Sequence, residues 1–196
     1  MSPLSLESTV PVPSTPPTTQ PRLGWGSWPS KGTTCTNSVL SAISAGYRHF
    51  DSAQSYGNEE AIGNAIRQTD VPRSQLYLTS KININDANPP TDVDEVYKSI
   101  GESVKRMNGG KGTFLDLFLI HGAAVDGGKH NEVQWKALER AYKDGLVKAI
   151  GVSNAGKGLI EDMKAYAQVW PPHVNQIEVI HQSPYFQARR IARIFH

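Results

Sequence analysis

The sequence predicts an α/β protein built as a TIM-type (β/α)8 barrel, incomplete, with about six of the eight βα units present. Three observations carry this. Short apolar runs alternate with longer stretches of helical periodicity. The runs recur about every 30–40 residues, the length of a βαβ unit. No Gly-rich dinucleotide fingerprint follows the first strand, which favours a barrel over an open doubly wound sheet. The 196 residues are 38% hydrophobic and 19% charged, as in a single soluble globular domain.

Taken in order, residues 1–20 are rich in Pro, Ser and Thr and read as an extended or disordered tail. The alternation of Val10 and Val12 leaves a short hairpin at Thr9–Pro13 as the other reading. The domain proper spans 21–196. Its strands are expected at Leu23–Trp28, His49–Ser52, Leu76–Ile82, Leu115–His121, Val147–Ser153 and Val174–Val179. Each is short, apolar and bounded by turn residues, as buried parallel strands are. Helices are expected over 34–45, 58–68, 92–107, 131–144 and 158–168. The third is the clearest, with Val93, Val96, Ile100 and Val104 forming one stripe. A last helix begins at Gln187.

Bulk properties narrow the function classes. A net charge of +2, without a basic stripe, gives no support to a nucleic-acid or membrane partner. No run reaches the roughly 18 apolar residues of a membrane span. The single cysteine, Cys35, excludes an internal disulfide framework and makes a reducing, cytoplasmic compartment the expectation. Cys35 has no partner motif of a nucleophile and reads as an ordinary small residue. The six histidines show no metal-ligand spacing, so no metal site is expected. GGKGT (Gly109–Thr113) lacks the spacing of a phosphate loop and reads as a turn. Glu59 and Glu60 read as acidic residues opening a helix.

A barrel places its active site at the C-terminal ends of the strands. There the sequence sets Asp51, then Tyr56 in the following loop, Lys81, His121, Ser153 with Asn154, and Gln176 with Glu178. Singly, such residues are turn formers, solvated cations or packing groups. Together at one mouth they fit carbonyl reduction. A Tyr phenol, with an unperturbed pKa of about 10, can donate a proton. A neighbouring Lys would favour its phenolate, an Asp would anchor the Lys, and a His could orient a carbonyl oxygen.

AGYRHFDSAQSYGNEEAIGNAI (Ala45–Ile66), LYLTSK (Leu76–Lys81), LDLFLIH (Leu115–His121), WKALERAYKDGLVKAIGVSN (Trp135–Asn154) and VNQIE (Val174–Glu178) resemble, in order, the motifs of the aldo-keto reductases. The resemblance implies NADPH, or less often NADH, as cofactor and a small-molecule carbonyl substrate; oligomeric state is left open. It implies Tyr56 as general acid, Lys81 as its partner, Asp51 as the anchor of Lys81, and His121 as the group that orients substrate. It assigns Asp51, Ser153, Asn154 and Gln176 to the cofactor and Trp28, with His121, to the substrate pocket. The chain departs from the family pattern at Gly122-Ala123-Ala124, where bulkier residues are usual. It departs again after Glu178, where a His-Pro turn is spread over His181 to Pro184. The family's last two βα units do not follow, so the resemblance implies a C-terminally truncated member. A catalytically inactive or partner-binding scaffold of the same family is the alternative.

Overall fold

The computed structural model describes residues 5–83, 91–123 and 130–178. Two strands, β1 (Thr9–Val12) and β2 (Thr18–Pro21), form an antiparallel hairpin. Six further strands form one parallel sheet in sequential order: β3 (Trp25–Gly26), β4 (His49–Asp51), β5 (Tyr77–Ile82), β6 (Leu117–Ile120), β7 (Ile150–Ser153) and β8 (Val174–Gln176). Helices α1 (Gly32–Ser44), α2 (Glu59–Gln68), α3 (Val93–Asn108) and α4 (Asn131–Lys143) connect successive strands. The short α5 (Lys157–Asp162) and a 3-10 turn, Met163–Ala165, lead to β8. Five crossovers are thus βα units, and the six expected strands and the five helices expected between residues 34 and 168 each have a counterpart.

The central strands β5, β6 and β7 bury both faces, because parallel strands carry helices on one side and curl around an interior on the other. All six residues of β5 are buried. Period-2 alternation then sorts them. Leu78 and Ile82 join Phe50, Phe118, Ile120, Ile150 and Val152 in the large cluster shared with the helices. Tyr77 instead joins Leu117, Leu119 and Ala149 in a smaller inner cluster. Lys81 has the parity of Tyr77 and Thr79, and so faces the interior near the C-terminal end of its strand.

From residue 9 onward the hairpin corrects the expectation of an open tail. Val12 is 2% exposed and packs into the inner cluster, closing the end from which the strands start. The turn is anchored to α4, since Thr15 N donates to Tyr142 Oη (2.6 Å), which donates back to Thr15 O (2.8 Å). A proline-rich composition reads as open chain, but proline is compatible with a two-stranded edge.

α3 is capped as its sequence asks: Asp92 accepts from Asp94 N at 2.7 Å, and Gly109 ends it in the left-handed region. GGKGT is accordingly the turn into β6. Glu59 does more than open α2. Only 3% exposed, it accepts from Ser80 Oγ at 2.6 Å and from Arg106 at 2.8 Å and 3.0 Å, joining α2, β5 and α3. The fifth helix is shorter than the expected 158–168. Trp170 Nε1 donates to Ile160 O (2.8 Å), and Glu139 accepts from Gln168 N and Val169 N, which hold the chain after the 3-10 turn in a non-helical path. Ala124, the end of the expected sixth strand at Val179, the spread His-Pro turn and the helix from Gln187 lie outside the described residues.

Candidate active site

Strand ends deliver each residue singled out from sequence to one cavity of about 760 Å³. Trp28 follows β3; Asp51 ends β4; Tyr56 closes the 3-10 turn Gln54–Tyr56 after it. Lys81 is next to last in β5, and His121 follows β6. Ser153 ends β7, with Asn154 next, and Gln176 ends β8. All eight side chains line the cavity.

Lys81 is the most buried charge there, at 2% exposed. A buried ammonium needs its donors matched. It donates to Asp51 Oδ1 and, at 2.8 Å, to the carbonyl of Ser52. Asp51 is held on its other oxygen by Gln176 Nε2 at 2.9 Å, a contact that spans the sheet from β4 to β8. Lys81 Nζ lies 5.4 Å from the ring centre of Tyr56. Tyr56 packs against Trp28 (5.2 Å between ring centres) and edge-on to His121 (5.4 Å).

His121 has its two nitrogens engaged separately: Nε2 lies 3.4 Å from Tyr56 Oη and Nδ1 lies 3.3 Å from Ser55 Oγ. Burial, followed by repulsion from Lys81, lowers its pKa to about 4 against an opposing pull from Asp51. The imidazole is therefore neutral at pH 7. Tyr56 moves the other way. Burial first, then the negative charges of Asp51 and Glu178, raise its phenol above the ordinary value. The sequence reading expected Lys81 to lower it. Asp51 sits directly on the ammonium and offsets part of its field, so burial sets the direction and the resting phenol keeps its proton.

Three residues that no motif singles out also bear on the site. Ser55 lies in the same 3-10 turn as Tyr56. Gln54 ties the same turn to its surroundings, donating to Ser103 Oγ (2.9 Å) and accepting from Asn83 N (2.7 Å). Asn58, 1% exposed, stands at the helix-capping position of α2, yet its side chain makes no cap bond. It accepts instead from Ser52 Oγ (2.5 Å) and donates to the carbonyls of Ser27 (3.1 Å) and Ser30 (2.8 Å). It thereby fixes the Trp28 loop against the strand end that holds Lys81. An Asn before a helix reads as a cap; only the tertiary fold redirects it.

Asn154 has φ +54°, a left-handed conformation that Asn tolerates better than most residues. Its Oδ1 accepts from Glu178 N at 2.9 Å. Among the described residues, Asn154 Nδ2, Gln176 Oε1 and Ser153 Oγ carry no hydrogen bond. One donor, one acceptor and one hydroxyl thus stand at the cavity, which matches the complement of a primary carboxamide.

This constellation gathers at the C-terminal mouth of a curled, six-stranded parallel sheet. The aldo/keto reductase family model matches residues 21–192, and the chain belongs to that family. It is 38% identical over 175 residues to the methylglyoxal reductase DkgB of Salmonella typhi, covering 88% of this chain and 61% of that protein. It is 39% identical over 147 residues to the glyoxal reductase of Bacillus subtilis, covering 75% and 49%. Among solved structures, an aldo/keto reductase from Brucella melitensis superposes with a TM-score of 0.75 at 30% identity, covering 88% of this chain and 64% of that one. A Bombyx mori aldo-keto reductase in complex with NADP gives 0.75 at 27% identity, covering 93% and 62%. The chain therefore spans 49% to 61% of the length of these two curated relatives. Its six-stranded sheet corresponds to part of the (β/α)8 barrel of the solved structures.

Proposed function

We propose that this chain reduces small aldehydes and ketones to alcohols with a reduced nicotinamide cofactor, NADPH or, less often in the family, NADH. One observation carries the reading: Tyr56 and His121, with Oη 3.4 Å from Nε2, share one cavity with a buried Lys81 paired to Asp51. The named activities of the methylglyoxal and glyoxal reductases support small dicarbonyls as first substrates to try.

The donor set at Ser153, Asn154 and Gln176 fits a nicotinamide carboxamide, and these residues would hold it, with Asp51 fixing Gln176. When bound there, a reduced nicotinamide would be the source of hydride for the carbonyl carbon. His121 Nε2 and Tyr56 Oη receive the carbonyl oxygen between them. The Tyr56 proton moves to that oxygen as it gains negative charge, giving the alcohol. Lys81, held in place by Asp51 and Ser52 O, stabilises the phenolate left behind, which regains its proton from water. Neutrality suits His121 here: it can hydrogen-bond the oxygen without competing with Tyr56 as the acid.

The test is a titration of the purified chain with NADPH and with NADH, followed by tryptophan fluorescence, since Trp25 and Trp28 line the cavity. Saturable quenching in the micromolar range is expected. Absence of quenching by both cofactors would contradict the proposal.

A further inference from the structure

Ser55 lies in the 3-10 turn between β4 and α2, and its hydroxyl is 3.3 Å from His121 Nδ1. Nothing else among the described residues engages that hydroxyl. On the opposite edge of the ring, Nε2 is 3.4 Å from Tyr56 Oη. A neutral imidazole carries one proton, so one nitrogen donates and the other accepts. The two tautomers have different consequences for Tyr56. With the proton on Nδ1, Nε2 would accept the Tyr56 hydroxyl proton and turn it away from the cavity. With the proton on Nε2, Tyr56 Oη becomes an acceptor toward His121, and its own proton stays free for the cavity.

We propose that Ser55 is a positioning residue that donates its hydroxyl proton to His121 Nδ1 and so holds His121 in the tautomer with hydrogen on Nε2. That tautomer is the intrinsically favoured form of a free imidazole side chain, and a hydroxyl donor at Nδ1 adds to the preference. The partner of one ring nitrogen sets the state of the other. The arrangement presents two distinct groups to a carbonyl oxygen: an N–H from His121 and an O–H from Tyr56. This rests on the reading of His121 and Tyr56 as the groups that meet the carbonyl oxygen. The turn that carries Ser55 is itself fixed, because Gln54 bonds to Ser103 on α3 and to Asn83 after β5.

The experiment is a long-range proton–nitrogen NMR correlation on the full chain with labelled histidine at neutral pH, with the His121 signals assigned by their loss in His121→Gln. Ser55 is exposed, so Ser55→Ala and Ser55→Thr should fold as the parent does. The parent and Ser55→Thr are expected to show a pyrrole-type Nε2 and a pyridine-type Nδ1. Ser55→Ala is expected to shift both signals toward a mixture of tautomers, and to lower kcat for methylglyoxal about threefold to tenfold with KM little changed. A parent spectrum with the proton on Nδ1, or an unchanged spectrum in Ser55→Ala, overturns the proposal. The spectrum is read on the free protein. A parent chain that reduces no carbonyl would therefore contradict the proposed function, while the tautomer result still decides the role of Ser55.

Discussion

Lys81 is the residue whose environment leaves least freedom. Its ammonium is buried, its strand alternation points it inward, and two acceptors hold it. Lys81→Met keeps the bulk but leaves Asp51, whose side chain is 18% exposed, with Gln176 as its remaining side-chain partner. We expect a loss of about 3 kcal/mol in urea unfolding, the effect of breaking a buried pair from one side, together with loss of turnover. An unchanged unfolding midpoint would mean that the pair contributes nothing. His121 gives a pH signature. Its folded pKa of about 4 lies below the ordinary 6.5, so the unfolded chain binds the proton first. Its contribution to stability is complete above pH 6.5 and is lost as pH falls toward 4. His49 and His173 are also lowered by burial and add the same trend. His121→Gln should therefore flatten part of the decline in unfolding midpoint between neutral pH and about pH 4.5. Identical declines in parent and variant would contradict the assigned burial.

At the scale of elements, the packing of α2 on α3 depends on two glycines in contact. A Cβ on Gly63 would stand 1.9 Å from the carbonyl oxygen of Arg106, and one on Gly109 would stand 2.1 Å from that of Gly63. Neither neighbour is a flexible side-chain end, so Gly63→Ala must push the helices apart. A melting experiment should show a loss of about 2 kcal/mol or more. Gly101, inside α3, has open space around its Cβ position. Gly101→Ala should instead stabilise by about 0.5–1 kcal/mol through helix propensity. Equal effects at both positions would refute the close crossing. Element identity was legible in the sequence because periodicity reports which faces are buried: the stripe on α3 and the apolar runs of β5 and β6 announce themselves. Element ends were less so. The run Val147–Ser153 begins before the paired strand at Ile150, because Val147 meets only Leu115 in an isolated bridge. The hairpin was obscured by its prolines, and Asn58 by its position before a helix. Ser55 left no signal, because its role exists only when the end of β6 is brought beside the turn.

At the scale of the whole molecule, topology brings residues distant in sequence to one cavity. Asp51, Lys81, His121, Ser153 and Gln176 are separated widely in sequence, yet each sits at or near the end of a parallel strand, and sequential parallel order puts those ends side by side. Topology thus converts a sequence rule into a spatial one. What the rule does not give is electrostatics. The direction of the Tyr56 shift depends on burial and on how closely Asp51 covers Lys81, and both are properties of the folded cavity. The central claim is that Tyr56 delivers the proton in a nicotinamide-linked carbonyl reduction. It is tested most directly by following the near-ultraviolet absorbance of NADPH with methylglyoxal present, for the parent chain and for Tyr56→Phe. The parent is expected to consume NADPH, Tyr56→Phe to do so at least about a hundredfold more slowly, and both to retain cofactor binding. Near-parental turnover in Tyr56→Phe would contradict it.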